Sequence, residues 1–269
     1  MALKHYLVHL QGTTATLQPF DGEATAVTHG ADGVIWLGGP GKLWRYANGQ
    51  MANIPFPEGV DKRMDVQAIA ASRSGDFWAS IMQAGMYRRI NGSWIHNGNL
   101  PALPKEIAVS LFADSSGRTW LGYMGKKMAV VDGDSVRTFS SKDGLQVVNV
   151  QVISEHAGHV WVGGERGLAL FMNDHFQSLT ADDSDLFRGI SGIVETGDGD
   201  LWLNSVPGII RIPAAEVRRA IETPGYRVHC ELFDFQEGLI GTAPQLRPIP
   251  TLVSSSDVYK RQSIRCDRT

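Results

Sequence analysis

Two cysteines, Cys230 and Cys266, are all that the 269 residues contain, so a disulfide framework is excluded and one bridge is the most the chain allows. No apolar run reaches the length of a membrane-spanning helix. The N-terminal stretch MALKHYLVHLQG has one lysine and an apolar run broken by histidines, a poor secretory leader. Charge of one sign is also scarce: 25 Lys and Arg face 28 Asp and Glu, a net −3, which argues against a nucleic-acid surface and leaves no reason to expect membrane contact. Helical periodicity is missing from every repeated segment, which excludes a solenoid of helix pairs.

What is present is a repeat. Five tryptophans head equivalent phrases: Trp36 in GVIWLGG, Trp78 in GDFWASI, Trp120 in GRTWLGY, Trp161 in GHVWVGG and Trp202 in GDLWLNS. They stand 42, 42, 41 and 41 residues apart. Three residues before each is a glycine: Gly33, Gly75, Gly117, Gly158 and Gly199. Nine before is an aliphatic residue (Val27, Ile69, Leu111, Val152, Ile193), and two after is a small one (Gly38, Ser80, Gly122, Gly163, Asn204). Trp44 and Trp94 fall outside this register and are expected to carry less of the core.

Each unit reads as four short strands. In the fourth, VQVISE, VWVG, LALF and FQSL are strands, HAGH and MNDH are turns, and GERG is a loop. One four-stranded antiparallel sheet per period of about 41 residues is the signature of a β-propeller blade. Each Trp is then assigned to the second strand, filling the contact between neighbouring sheets, with the small residue two positions on making room for the next blade.

The propeller is assigned to residues 1–253, with five complete Trp-bearing blades and partial blades at both ends, hence an incomplete ring. Residues 1–24 read as the last two strands of an earlier blade. A short helix is expected near 213–223, where Pro213 opens an apolar pair, Val217 and Ile221, and Pro224 stops it. The chain then resumes with YRVHCELFDFQEGL, whose EGL at 237–239 parallels DGL at 143–145. That parallel calls for a Trp near position 255, where there is none. Residues 254–269 are therefore read as a non-repeat tail, artefactual or disordered, on a fragment of a longer protein.

The fourth unit carries a family resemblance. Asp143, Gly144, Leu145, Glu155, Gly158, Trp161, Gly163, Gly167 and Leu168 fit nearly the whole of the two-component regulator propeller repeat. The other units keep Gly and Trp but lose parts: the second has Ser80 in place of Gly, and the first has GKL in place of GL. The stretch from GDLWLNS to QEGLIG resembles the last part of the sensor propeller of membrane-bound hybrid histidine kinases. The resemblance spans residues 1–253 and implies a periplasmic or extracellular sensor region. In such proteins the propeller precedes a β-sandwich, a membrane helix and a kinase. No kinase ATP-binding signature or phosphoacceptor helix occurs in these residues, so the chain is expected to be non-catalytic by itself. Its expected partner is a small ligand, such as a carbohydrate, or neighbouring blades or domains of the parent chain.

Local motifs for other chemistry are weak. GGPGK at 38–42 lacks the full phosphate-loop spacing and is read as a turn. His156 and His159 flank a turn glycine, and ADDSD at 181–185 lacks the glycine and distal glutamate of a calcium loop, so no metal, cofactor or catalytic set is assigned. Binding residues are expected on the loops of one propeller face. The second-to-third-strand loops offer Gln83, Lys126, Glu165 and Arg166, and the blade-to-blade loops offer Arg63, Lys105, Asn149 and Arg188. Cations mixed with amides suit a polyanionic or sugar-like ligand. Two other readings stay open. A lyase propeller of the streptogramin-lyase kind also repeats G-x-x-W, but no histidine occurs in the five second-to-third-strand loops. The third reading is a scaffold that binds protein only.

Overall fold

The computed structural model describes residues 2–3, 6–11, 14–30, 33–72, 75–239, 241 and 243. The tail at 254–269 lies outside the described residues. The chain forms two compact units, residues 1–121 with 129–137, and residues 122–128 with 138–269.

The first unit opens with a sheet of β1 (Ala2–Leu3), β2 (Tyr6–Gln11) and β3 (Thr14–Pro19), one strand more than the two expected there. Next comes the sheet of β4 (Ala26–His29), β5 (Ile35–Gly39), β6 (Lys42–Ala47) and β7 (Gln50–Ile54). It is followed by β8 (Val66–Ala71), β9 (Phe77–Ile81), β10 (Gly85–Ile90) and β11 (Ser93–His96). The third Trp-bearing sheet is β12 (Ser110–Ala113), β13 (Thr119–Gly122), β14 (Met128–Asp132) and β15 (Ser135–Phe139).

The second unit holds β16 (Val148–His156), β17 (His159–Arg166), β18 (Leu168–Met172) and β19 (His175–Ala181). After these come β20 (Gly192–Glu195), β21 (Leu201–Asn204), β22 (Ile209–Ile212), the helix α1 (Ala214–Glu222), β23 (Arg227–Val228) and β24 (Glu231–Phe233). The residues after the helix serve two sheets. β23 lies parallel to β19 as a fifth strand of the fourth sheet, while β24 pairs antiparallel with β22 and completes the fifth. The stretch YRVHCELF thus supplies one strand each to the fourth and fifth Trp-bearing sheets, and no strand follows it among the described residues.

The repeated glycines do two different jobs. Those three before each Trp turn the first hairpin with φ of 78, 87, 91, 84 and 89°, a region that side chains avoid. Gly163, two after Trp161, has ordinary φ but no room: a Cβ there would lie 2.7 Å from Ile190 Cγ2. Gly38 is the same, with Val66 Cγ1 at 2.6 Å. Third-to-fourth-strand hairpins turn on Asn48-Gly49, Asn91-Gly92 and Asn173-Asp174, all with positive φ, the signature of tight two-residue turns.

Trp78, Trp120 and Trp161 are fully buried. Trp161 packs in one cluster with Leu168, Ile193, Leu203 and Ile210, drawn from the fourth and fifth sheets. Trp36 and Trp202 are half-buried and stack on Phe77 (4.4 Å) and Phe233 (5.8 Å). Trp44 departs from expectation. It is 1 % exposed, edge-on to Phe20 at 5.1 Å, in a cluster with Leu7 and Leu37. It lies opposite Leu37 on the third strand of its sheet, a place that the period of the second-strand tryptophans does not report.

Helix α1 buries Val217 and Ala220 in the fourth-to-fifth-sheet cluster. Asp200 accepts from the Ala214 amide (2.9 Å) at its start and from Arg211 Nε (2.6 Å). Glu216 accepts from the His229 amide and the Tyr226 hydroxyl, both at 2.9 Å, tying the helix to the strands that follow. The DGL and EGL segments are the same device: Ser140 with Asp143, and Asp234 with Glu237, each form a reciprocal capping box closed by a glycine, Gly144 or Gly238, at φ 83°.

Candidate functional site

A layer of charge lies over the tryptophans. The cross-strand partner is arginine in three sheets: Arg45 opposite Trp36, Arg88 opposite Trp78 and Arg211 opposite Trp202. Each guanidinium sits 5.6–6.0 Å from the ring centre, within cation–π range. Asp76 and Asp200, two residues before their tryptophans, pair with Arg88 and Arg211. In the third sheet Arg118 covers Trp120 at 5.2 Å, and buried Asp114 binds both the Arg118 Nε (2.6 Å) and the indole N–H (2.8 Å). The fourth sheet differs: Leu170 lies opposite Trp161, the indole N–H donates to Glu195 (2.7 Å), and His159 Nδ1 faces the same carboxylate at 3.0 Å. His156 and His159 are cross-strand neighbours on the hairpin, and His159 is committed to Glu195. The carboxylate-paired groups among them are structural. An arginine nine or ten residues after Trp marks three of these positions in the sequence, Arg45, Arg88 and Arg211.

The eight expected binding residues divide by unit. In the first, Arg63 is chelated by Asp61 of its own loop, with Nε–Oδ2 at 3.0 Å and a terminal guanidinium nitrogen–Oδ2 at 2.6 Å. The arginine holds the Asp61 carboxyl below its ordinary range. Gln83 is exposed in the turn between β9 and β10 at φ 61°, and Lys105 is exposed in the connection between β11 and β12. No described contact joins these three.

In the second unit the other five converge. The Gly125 amide donates to Asn149 Oδ1 (2.7 Å), Asn149 Nδ2 donates to Glu165, and Lys126 Nζ donates to Gln146 Oε1 (2.6 Å). Residues 164–167 run beside 187–190, held by Ile190 N to Gly164 O (2.8 Å), Gly189 N to Glu165 O (2.8 Å) and Gly167 N to Phe187 O (2.9 Å). This places Arg166 directly opposite Arg188 as an antiparallel bridge. Three of the five were assigned to loops and are not in loops. Asn149 lies on β16, and Glu165 and Arg166 on β17, so the GERG loop shrinks to Gly167. The cause is Gly164: its missing side chain lets β17 approach the Asn149 and Val148 carbonyls, where a Cβ would sit 2.4 Å from each oxygen. The hairpin therefore continues past the expected turn, with a bulge between Val150 and Val152.

Beside this edge is a cleft of about 280 Å³. Gln146, Arg166, Asp185, Arg188 and Arg227 form its polar rim, and Leu179 and Phe187 are among its apolar lining. Arg227 donates to the Ala181 carbonyl (3.3 Å) and lies 3.9 Å from Asp182, which also pairs with His229 Nδ1 at 2.9 Å. Asp183 caps the short 3-10 turn Ser184–Phe187 that carries Asp185. The ADDSD segment is thus partly structural. Gln146 and Arg227 were missed as rim residues, because only the parallel β19–β23 pairing brings Arg227 here.

No family model matches this sequence, and no curated protein matches it. Solved structures do match. One is described as the extracellular domain of the hybrid two-component system BT3049 of B. thetaiotaomicron, with a TM-score of 0.68 at 18% identity over 92% of this chain. This chain spans 33% of that one. A streptogramin B lyase matches with a TM-score of 0.63 at 12% identity, over 86% of this chain and 77% of that one. PorZ, a surface component of the type-IX secretion system of Porphyromonas gingivalis, matches with 0.58 at 16% identity, over 82% of this chain and 37% of that one. At these identities the likeness establishes the fold, and the sheets described above are β-propeller blades.

Proposed function

We propose that this chain is a ligand-sensing or protein-interaction propeller from the extracytoplasmic region of a two-component histidine kinase, non-catalytic by itself. The observation that carries this reading is the convergence of Lys126, Asn149, Glu165, Arg166 and Arg188 beside one cleft, while Arg88, Arg118 and Arg211 over the tryptophans are each paired with a carboxylate. The likeness to the extracellular domain of BT3049 supports the sensor context and an extracytoplasmic location, and no described helix is long and apolar enough to cross a membrane. A thermal-shift screen with saccharides and small anions tests the reading. A ligand-dependent rise in melting temperature is expected; a flat response to every ligand would favour a purely protein-binding scaffold.

The likeness to streptogramin B lyase supports a second reading, a propeller lyase. Its weakness lies in the connections between second and third strands, residues 40–41, 82–84, 123–127, 167 and 205–208, which hold no histidine to act as a base. Mg²⁺-dependent turnover of a streptogramin would establish the lyase reading over the sensor.

A further inference from the structure

We propose that the cleft beside β17 is a clamp for one oxyanion group, a carboxylate or a sulfate, gripped by Arg166 and Arg188; this deepens the ligand-sensing reading and rests on it. The two arginines face each other across an antiparallel bridge. Like charges directly opposite destabilise a strand pair. They cannot drift apart through the backbone, because hydrogen bonds at Gly189 N to Glu165 O and Gly167 N to Phe187 O fix both segments. Neither guanidinium is paired with a carboxylate among the described residues, in contrast to Arg63, Arg88, Arg118 and Arg211.

An anion resolves this frustration. The guanidinium fork matches carboxylate and sulfate oxygens in a bidentate way that a lysine would not. Gln146 adds a donor: its Oε1 is taken by Lys126, which leaves its amide N–H groups for a ligand and sets a third cation behind it. Asp185 places one negative charge on the rim, and Arg227 is already engaged by the Ala181 carbonyl. The cleft therefore stays net positive without an outside anion. At about 280 Å³ it falls just below the usual range of ligand pockets, roughly 300–1,000 Å³, which suits nothing larger than a monosaccharide-sized anion. Leu179 and Phe187 offer that ligand an apolar face.

Titration calorimetry of the full chain at low salt, with D-glucuronate, sodium sulfate and D-glucose, tests the clamp. Glucuronate and glucose differ by the carboxylate alone. Binding of an anion but not of glucose is expected, with affinity lowered at least tenfold in Arg166→Gln and in Arg188→Gln. Glucuronate binding above sulfate identifies a carboxylated ligand, and the reverse a sulfated one. Melting of the two variants without ligand guards against misfolding: relief of like-charge repulsion predicts a midpoint equal to or above the parent's. A lower midpoint would make the arginines structural and overturn the clamp. So would failure of both anions to bind, undiminished anion binding in the variants, or glucose binding as strong as glucuronate. Glucose binding would leave the ligand-sensing reading intact. Conversely, anion binding whose hydrogen-exchange protection stops at the cleft would keep the clamp and refute sensing.

Discussion

Gly163→Ala tests the contact between the fourth and fifth sheets. The new Cβ would sit 2.7 Å from Ile190 Cγ2, 3.0 Å from Ile190 Cβ and 3.2 Å from Ile193 Cδ1. Ile190 is fully buried, and Ile193 nearly so. Neither branched side chain can swing into solvent, so the sheets must separate slightly. Overpacking of this kind costs about 1–3 kcal/mol. Ile190→Ala alone costs about 2–5 kcal/mol through the cavity it leaves. It also removes the Cγ2 that the new methyl strikes. The double variant should therefore lose less than the sum, by about 1 kcal/mol or more, within the usual coupling range of 0.5–3 kcal/mol for touching residues. Gly158→Ala is the control. It has nothing within 4 Å but sits at φ 84°, so its penalty of about 1–2 kcal/mol is backbone strain and should not couple to Ile190. Asparagine tolerates left-handed backbone, so Gly158→Asn should be milder than Gly158→Ala, whereas Gly163→Asn should be worse than Gly163→Ala. Urea unfolding followed by tryptophan fluorescence reads all of these. Additivity of Gly163→Ala with Ile190→Ala, or a neutral Gly163→Ala, would refute the assignment of Gly163 to the sheet contact.

Three further outcomes are expected. Trp44→Ala should cost about 3–5 kcal/mol, as much as Trp161→Ala, because both rings are fully buried; urea melts ranking Trp44 well below Trp161 would contradict the packing. The His229 amide, and after it the Tyr226 hydroxyl, hold the Glu216 carboxyl below its ordinary range. The resulting stability is present above the unfolded value of about 4.3 and is lost as pH falls through the lower folded value, so the gap in melting temperature between parent and Glu216→Gln should close in acid; a gap unchanged from pH 7 to 3 would disprove the linkage. Burial, with Glu216 and Asp182 adding repulsion, pushes the Cys230 thiol up to about 12. In a Cys266→Ser background, iodoacetamide at pH 8.5 should label Cys230 far more slowly in the folded chain than in urea, and equal rates would rule that environment out.

Much of this was legible in the order of residues. The period of 41 or 42 residues, the turn glycine and the small residue after Trp are local requirements of one blade, so each repeats whenever the blade does. Sequence therefore determined the blade type, three of the five second-strand tryptophans as fully buried core (Trp78, Trp120 and Trp161) and the helix inserted after β22. Features without a period were not legible. Trp44 is buried because Leu7, Phe20 and Leu37 surround it, and no spacing announces that. Glu165 and Arg166 lie on a strand because Gly164 lets two backbones touch, which a loop-like GERG conceals. The cleft gathers Gln146, Arg166, Arg188 and Arg227 from separate elements, through a bridge between two connections and a parallel strand that returns after the helix. Tertiary structure alone set two arginines face to face, because the electrostatic cost of like charges depends on their separation in space and leaves no mark along the chain.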